Sequence, residues 1–276
     1  QALHTLAADF MKRLITGIVA GGGWLALLFL AGPVLFGLAV ALAALLALHE
    51  YFTMVMGAQT RFAIPVGLCC GFLPLLAALT GRSDLVGASL SLSLLVLVGF
   101  VIVFYRTLAD PFAVLSRLGL GILYVGFCAA HLILLRHEGN GVAWLLWLTA
   151  ITIASDSFAY YSGRLLGSRK LCPAVSPGKT VEGFVGGLAG SVGVALLLAA
   201  LLFPGSNMVK MAAAAAVLSC VGVLGDLCES VIKRAMGVKD SGAILPGHGG
   251  VFDRVDSLLL TAPLLFNLVH FGLLVV

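Results

Sequence analysis

The chain has 276 residues, 61% of them hydrophobic and only 10% charged, with a formal net charge of +4 and a mean hydropathy of +1.14. A soluble globular domain carries about half apolar and about a quarter charged residues, so this composition excludes one and defines an integral membrane protein. Apolar stretches long enough for the roughly 20 helical residues that cross a hydrocarbon core recur along the whole length, which predicts an all-α polytopic chain and excludes a β-barrel with its short alternating strands.

Nine spans are expected, at about 14–31, 34–53, 62–80, 85–104, 118–135, 142–162, 183–203, 209–232 and 257–275. The Lys12-Arg13 pair before the first apolar run resembles the start of a secretory signal. The length of that run and the equally apolar chain behind it favour a first transmembrane helix instead. With a cytoplasmic N-terminus, thirteen of the sixteen Lys and Arg residues fall on the inner side, and only Arg82, Arg136 and Lys210 fall outside. One helix more or fewer would reverse every later loop and erase this asymmetry, so the nine-span count and the orientation support one another. The basic residues are scattered rather than gathered into a stripe, which argues against a nucleic-acid partner. Cys69, Cys70, Cys128, Cys172, Cys220 and Cys228 show neither Cys-x-x-Cys spacing nor a Cys/His cluster, and read as small, reduced apolar fillers.

The two halves differ in kind. Residues 1–140, with about five helices, short loops and few ionisable groups inside spans, read as a membrane scaffold. Residues 141–276, about four helices with two long cytoplasmic connections at 163–182 and 233–256, read as the catalytic region. His49 and Glu50, near the inner end of span two, and Trp144 and Trp147, near the outer end of span six, are expected as interfacial anchors.

Within span six, Asp156 in "ASDSFAYYSG" is an acid at membrane depth. It is a candidate to order a cation site or contact a nucleotide, with a structural hydrogen-bonding role as the equal alternative. Next, "VSPGKTVEGFVGG" suggests Ser176 as an N-cap with Pro177 at the first helical position, presenting free N–H groups and Lys179 to an anion. The "GKT" is not a phosphate-binding P-loop, because Pro173 stands where its first glycine is required. Gly183, Gly186, Gly187 and Gly190 form G-x-x-x-G pairs that read as a helix-packing face.

In "GDLCESVIKR", Asp226, Glu229, Ser230 and Lys233 fall at i, i+3, i+4 and i+7, on one face of span eight. An acid at that depth needs a wet cavity, a cation or a base, the plain alternative being an internal Asp–Lys pair. Asp253 and Asp256 follow in "HGGVFDRVDS", again three apart at the mouth of span nine. Two helices thus bring carboxylates to one boundary, as a hard divalent cation such as Mg²⁺ requires; stabilisation of a helix N-terminus is the alternative. His248 sits beside Gly249 and Gly250, which permit close backbone approach to phosphate. Lys179, Lys233, Arg234, Lys239 and Arg254 are the cations of the same membrane face, and Glu229, Ser230 and Asp240 are placed with Ser176 and Asp156 among the substrate contacts.

The run "SVIKRAMGVKDSGAILPGHGGVFDRVDS", 230–257, closely resembles the signature of the phosphatidate cytidylyltransferases. "VSPGKTVEGFVGG" and "LGDLCES" resemble two further blocks of that family in the same order. The likeness is dense over about 150–260, where long fixed spacings make chance agreement improbable; before residue 140 it rests on hydropathy, helix number and the basic pair. It implies transfer of the cytidylyl group of CTP to phosphatidate, giving CDP-diacylglycerol and pyrophosphate. It also implies Mg²⁺ with a second, monovalent cation (K⁺), a homodimer in the inner (plasma) membrane, and a cytoplasm-facing cavity open to membrane lipids. Carried over by position, Asp226 and Asp253 are the metal-binding acids, with Asp256 close by. The second pKa of a phosphomonoester is about 6, so phosphatidate is already anionic and the catalytic problem is positioning and charge neutralisation rather than base catalysis. A cation-coupled transporter and a CTP-dependent lipid-alcohol kinase are the competing readings.

Overall fold

The computed structural model describes residues 2–242, 244 and 249–274. Among them the chain forms nine continuous helices: α1 (Ala2–Leu30), α2 (Pro33–Val55), α3 (Ala58–Ala78), α4 (Ser83–Val103), α5 (Pro111–His137), α6 (Gly141–Leu166), α7 (Val181–Leu202), α8 (Met208–Ala235) and α9 (Phe252–His270). A single antiparallel hairpin, β1 (Lys170–Cys172) and β2 (Ser176–Thr180), lies between α6 and α7. Helices α2 to α8 are each long and apolar enough to cross a membrane, and Gly17–Leu30 of α1 is a shorter apolar stretch. The all-α polytopic reading holds.

The residues group into two compact units. The first comprises 1–134 and 236–255, and its helices meet through small residues. A methyl group on Gly71 would stand 2.7 Å from the Leu48 side chain, and one on Gly126 would stand 2.5 Å from the carbonyl of Gly71. Gly126 lies in a π-helical stretch of α5, Ile122–Phe127. Ser93 on α4 donates to the Cys70 carbonyl at 2.7 Å, and the Tyr51 hydroxyl donates to the Arg117 carbonyl at 3.1 Å. Helix starts follow their local chemistry: Pro33 and Pro111 occupy first turns, where the missing N–H costs nothing, and the Asp110 side chain accepts from the N–H of Ala113 at 2.9 Å.

The second unit comprises 135–235 and 256–276. Here the glycine periodicity of α7 becomes a seam against α6. A methyl on Gly187 would stand 2.7 Å from the Ser155 carbonyl, and one on Gly183 would stand 2.8 Å from that of Ala159. Groups on Gly186 and Gly190 would overlap Ser162 and the Phe158 ring. Helix α8 joins through Ser219, whose hydroxyl is 2.9 Å from that of Ser155. A methyl on Gly225 would stand 2.5 Å from the Asp256 carbonyl of α9.

Trp144 and Trp147 correct an expectation. Both are buried; Trp147 Nε1 donates to the Ala195 carbonyl at 2.9 Å, and Trp144 stacks on Phe203 with centroids 4.0 Å apart. An indole finds its polar partner as readily in an interhelical carbonyl as at a membrane interface, and packing made that choice. Glu50 is likewise buried within the protein, whereas His49 is exposed.

The glycine seam yields a matched pair of substitutions. Gly187→Ala should destabilise the detergent-solubilised protein by about 1–3 kcal/mol through overpacking, read as a lowered melting temperature. Gly193→Ala, on the same helix with nothing within 4 Å of its added methyl, should leave it unchanged or slightly raised.

Candidate functional site

Helix α7 begins at Val181, not at Ser176. Ser176 precedes a proline, which biases it toward extended backbone, and residues 176–180 pair as β2 with Lys170↔Thr180 and Cys172↔Ser176. Thr180 is the N-cap, its hydroxyl accepting from the N–H of Gly183 at 3.1 Å. Glu182, in the first turn, accepts from the Ser168 hydroxyl at 2.8 Å and from the N–H groups of Ser168 and Arg169 at 3.0 and 3.2 Å. The expected helix terminus at Ser176 is thus replaced by a short hairpin braced against α7, and Lys179 is carried on a strand.

That strand brings Lys179 to α8. Its Nζ pairs with Asp226 Oδ2 at 2.5 Å, both side chains partly buried. Lys233 pairs with Glu229 Oε2 at 3.0 Å, and Ser230 Oγ lies 3.5 Å from Asp226 Oδ1. The four residues share one helical face, as their spacing requires, but the lysine on Asp226 comes from the hairpin, not from the same helix.

Asp226, Glu229 and Asp256 each offer a carboxylate oxygen within 4.8 Å of the others. Glu229 is only 2% exposed. Three carboxylates so close repel one another, and the two lysines offset only part of that charge. Oxygen donors at this spacing suit a hard divalent cation, which takes carboxylate oxygens at about 2.0–2.6 Å and fills its remaining positions with water or phosphate. The sequence pattern places Glu229 among substrate contacts; the structure groups its carboxylate with the two aspartates.

Beside the acids lies a cavity of about 510 Å³, within the range of small-molecule sites. Asp156, Tyr160 and Arg164 of α6, Ser176 and Lys179 of β2, and Asp226 of α8 supply its polar wall. Arg164 Nη1 donates to the Tyr160 hydroxyl at 3.2 Å. Tyr160 and Arg164 were not singled out from sequence, although with Asp156 they recur at i, i+4 and i+8, a pattern that marks one helical face.

Asp253, in the first unit, accepts at Oδ2 from the Ser241 N–H, the Ser241 hydroxyl and the Gly250 N–H, at 3.0, 3.0 and 2.8 Å. Gly249 has φ +80, and a side chain there would stand 2.6 Å from Asp253 Oδ2, so the close approach this glycine permits is to that carboxylate. Lys239, Asp240 and Arg254 in the first unit, and Arg234 in the second, are exposed. His248 falls outside the described residues. Helix α9 starts five residues before the expected span, so Asp253 and Asp256 belong to its first two turns.

Helices long and apolar enough to cross a membrane, with a cluster of acids and bases beside a ligand-sized cavity, suit a membrane enzyme, and the family to which the chain belongs makes it a nucleotidyltransferase. The chain matches the cytidylyltransferase family over residues 11–272 and belongs to it. It is similar to phosphatidate cytidylyltransferases of Staphylococcus haemolyticus, 34% identical over 92% of this chain and 96% of that protein, and of Bacillus subtilis, 32% identical over 94% and 97%. A Brucella abortus protein of the same name is 47% identical over 148 residues, 53% of this chain and 54% of that one, so this match spans about half of either protein.

If the three acids hold a divalent ion, millimolar Mg²⁺ should raise the melting temperature of the purified protein, because a ligand at 100 times its dissociation constant stabilises by about 2.7 kcal/mol. Asp256→Asn should lose most of that increment. An equal increment in both proteins would exclude Asp256 as a ligand.

Proposed function

We propose that the chain transfers the cytidylyl group of CTP to phosphatidate, producing CDP-diacylglycerol and pyrophosphate in the plasma membrane. The observation that carries this reading is the convergence of Asp226, Glu229 and Asp256 beside a cavity that also holds Lys179, in a chain of the cytidylyltransferase family. We place the site at the cytoplasmic face, where CTP is found, and assign residues 141–276 the larger share of the chemistry.

An oxygen of the lipid phosphate attacks the α-phosphorus of CTP, forming one P–O bond as the bond from that phosphorus to the bridging oxygen of the β-phosphate breaks. The electron pair of the broken bond leaves on pyrophosphate. No enzyme base is required, since the attacking oxygen is already anionic near neutral pH. The protein's task is to bring two anions together in line.

Lys179 suits the triphosphate. It sits on the cavity wall within reach of Asp226 and can exchange that carboxylate for a phosphate oxygen. Arg164, five donors on a planar fork, stands on the same wall as a second phosphate partner. Lys233 and Arg234, at the end of α8, are assigned to orienting the lipid phosphate. Asp226, Glu229 and Asp256 would hold Mg²⁺, and the bound ion would offset charge on the phosphates and the departing pyrophosphate. We also propose a homodimer and a monovalent second cation.

Purified protein given radiolabelled CTP, phosphatidate and Mg²⁺ should yield labelled CDP-lipid and pyrophosphate. CDP with an unlabelled phospholipid product would indicate a kinase, and absence of turnover would remove the enzyme assignment for this substrate pair. Asp226→Asn should remain folded and lose activity by two orders of magnitude or more, about 2.7 kcal/mol of transition-state stabilisation. Lys179→Ala should raise the KM for CTP more than that for phosphatidate; equal effects on both would overturn its role.

A further inference from the structure

Glu50 lies outside the cavity and the acid cluster, and neither uses it. It sits on α2, only 5% exposed. Its Oε2 accepts from the N–H of Phe252 at 2.9 Å, and the Ser241 hydroxyl lies 3.4 Å away. Oε1 has no hydrogen-bond partner among the described residues. The loop closes on this carboxylate through two glycines: a methyl on Gly242 would stand 2.5 Å from Oε1, and one on Gly250 would overlap Oε2 and the Ser241 hydroxyl. A carboxylate so enclosed is costly to bury unless donors surround it, and here the donors come from both ends of one loop.

Phe252 is the first residue of α9, and its N–H is one of the four that a helix start leaves without an internal partner. Glu50 therefore caps α9 from another helix, more than 200 residues back along the chain. The Phe252 ring is fully buried, with Tyr51 and Tyr124 edge-on to it at 5.8 Å each. Asp253, the next residue, grips the same loop through Ser241 and Gly250. Asp256 follows on the same helix, one turn along.

We propose that Glu50 is a positioning residue for cytidylyl transfer. By fixing Ser241, Gly250 and the start of α9, it sets the rotation of the helix turn that carries Asp253 and the turn that carries Asp256. This rests on the function proposed above, because positioning has a catalytic meaning only if those aspartates serve the transfer. Supporting residues of this kind change metal affinity or activity by about 10–100-fold when removed.

The test compares full-length wild type, Glu50→Ala, Glu50→Gln and Gly242→Ala in detergent or nanodiscs, by hydrogen–deuterium exchange over 241–256 and by kinetics with CTP, phosphatidate and Mg²⁺. Glu50→Ala should exchange at least tenfold faster at the Phe252 amide. Its kcat should fall by about 10–100-fold, and its half-activating Mg²⁺ concentration should rise, while the KM for CTP changes little. Glu50→Gln, whose amide oxygen can still accept from Phe252, should recover much of both. Gly242→Ala, pressing on Oε1 from the loop, should reproduce the exchange defect, and it decides the matter together with Glu50→Gln if Glu50→Ala does not fold.

Wild-type exchange in Glu50→Ala, or kcat and Mg²⁺ dependence within twofold of wild type, would overturn the proposal. If wild type itself makes no CDP-lipid, the functional reading fails. The positioning of the loop by Glu50 then stands or falls on the exchange arm, and its catalytic meaning falls with the reading.

Discussion

Three carboxylates brought within 4.8 Å of one another, two of them on α8, a helix that otherwise suits a membrane, impose the constraint on which the second unit depends. Charge repulsion at that distance is strong wherever the surroundings are poorer in water than bulk solvent, and an uncompensated acid in a membrane-spanning helix is costly. The fold answers with two lysines. Lys233 comes from one turn further along α8 and reaches Glu229, whereas Lys179 is brought from 47 residues away to Asp226. The first pairing needs only a helix. The second needs α6, the hairpin, α7 and α8 to be assembled correctly, so the electrostatics of the cluster depend on the packing of the whole unit.

That packing rests on absent side chains. Gly183 and Gly187 let α7 approach the backbone of α6 closely enough that added methyl groups would press on carbonyl oxygens, and Gly225 does the same between α8 and α9. Small residues permit such approach in a membrane, where lipid is as apolar as leucine and close van der Waals contact must drive association. The hairpin is then held at the near end of the seam by the Thr180 cap and the Glu182 carboxylate. Lys179 is consequently presented by an extended strand with fixed backbone partners, a stiffer mounting than a free loop would provide.

Two sets of acids use two kinds of compensation. Asp226 and Glu229 face ammonium groups on flexible stems, partners that can be exchanged for a cation or a phosphate. Glu50 and Oδ2 of Asp253 face backbone N–H groups and the Ser241 hydroxyl, partners fixed by the loop itself. An exchangeable partner suits binding, and a fixed one suits architecture. The contrast separates the roles of residues that are chemically alike, and it sets Glu50 beside the start of α9 as a supporting group.

What sequence alone determined follows from local periodicity and composition. The apolar content specified a helical membrane protein; the spacing of Asp226, Glu229, Ser230 and Lys233 put them on one face; the glycines of 183–190 marked a packing seam. Each of these needs only the geometry of one helix. Tertiary structure decided the rest: that Asp226 would pair with Lys179, that Ser176 would enter a strand, that Trp147 would donate to Ala195 inside the unit, and that Glu50 would cap a helix near the other end of the chain. Those outcomes depend on which of several competing partners packing brings within hydrogen-bonding distance, and a one-dimensional pattern carries no such distances.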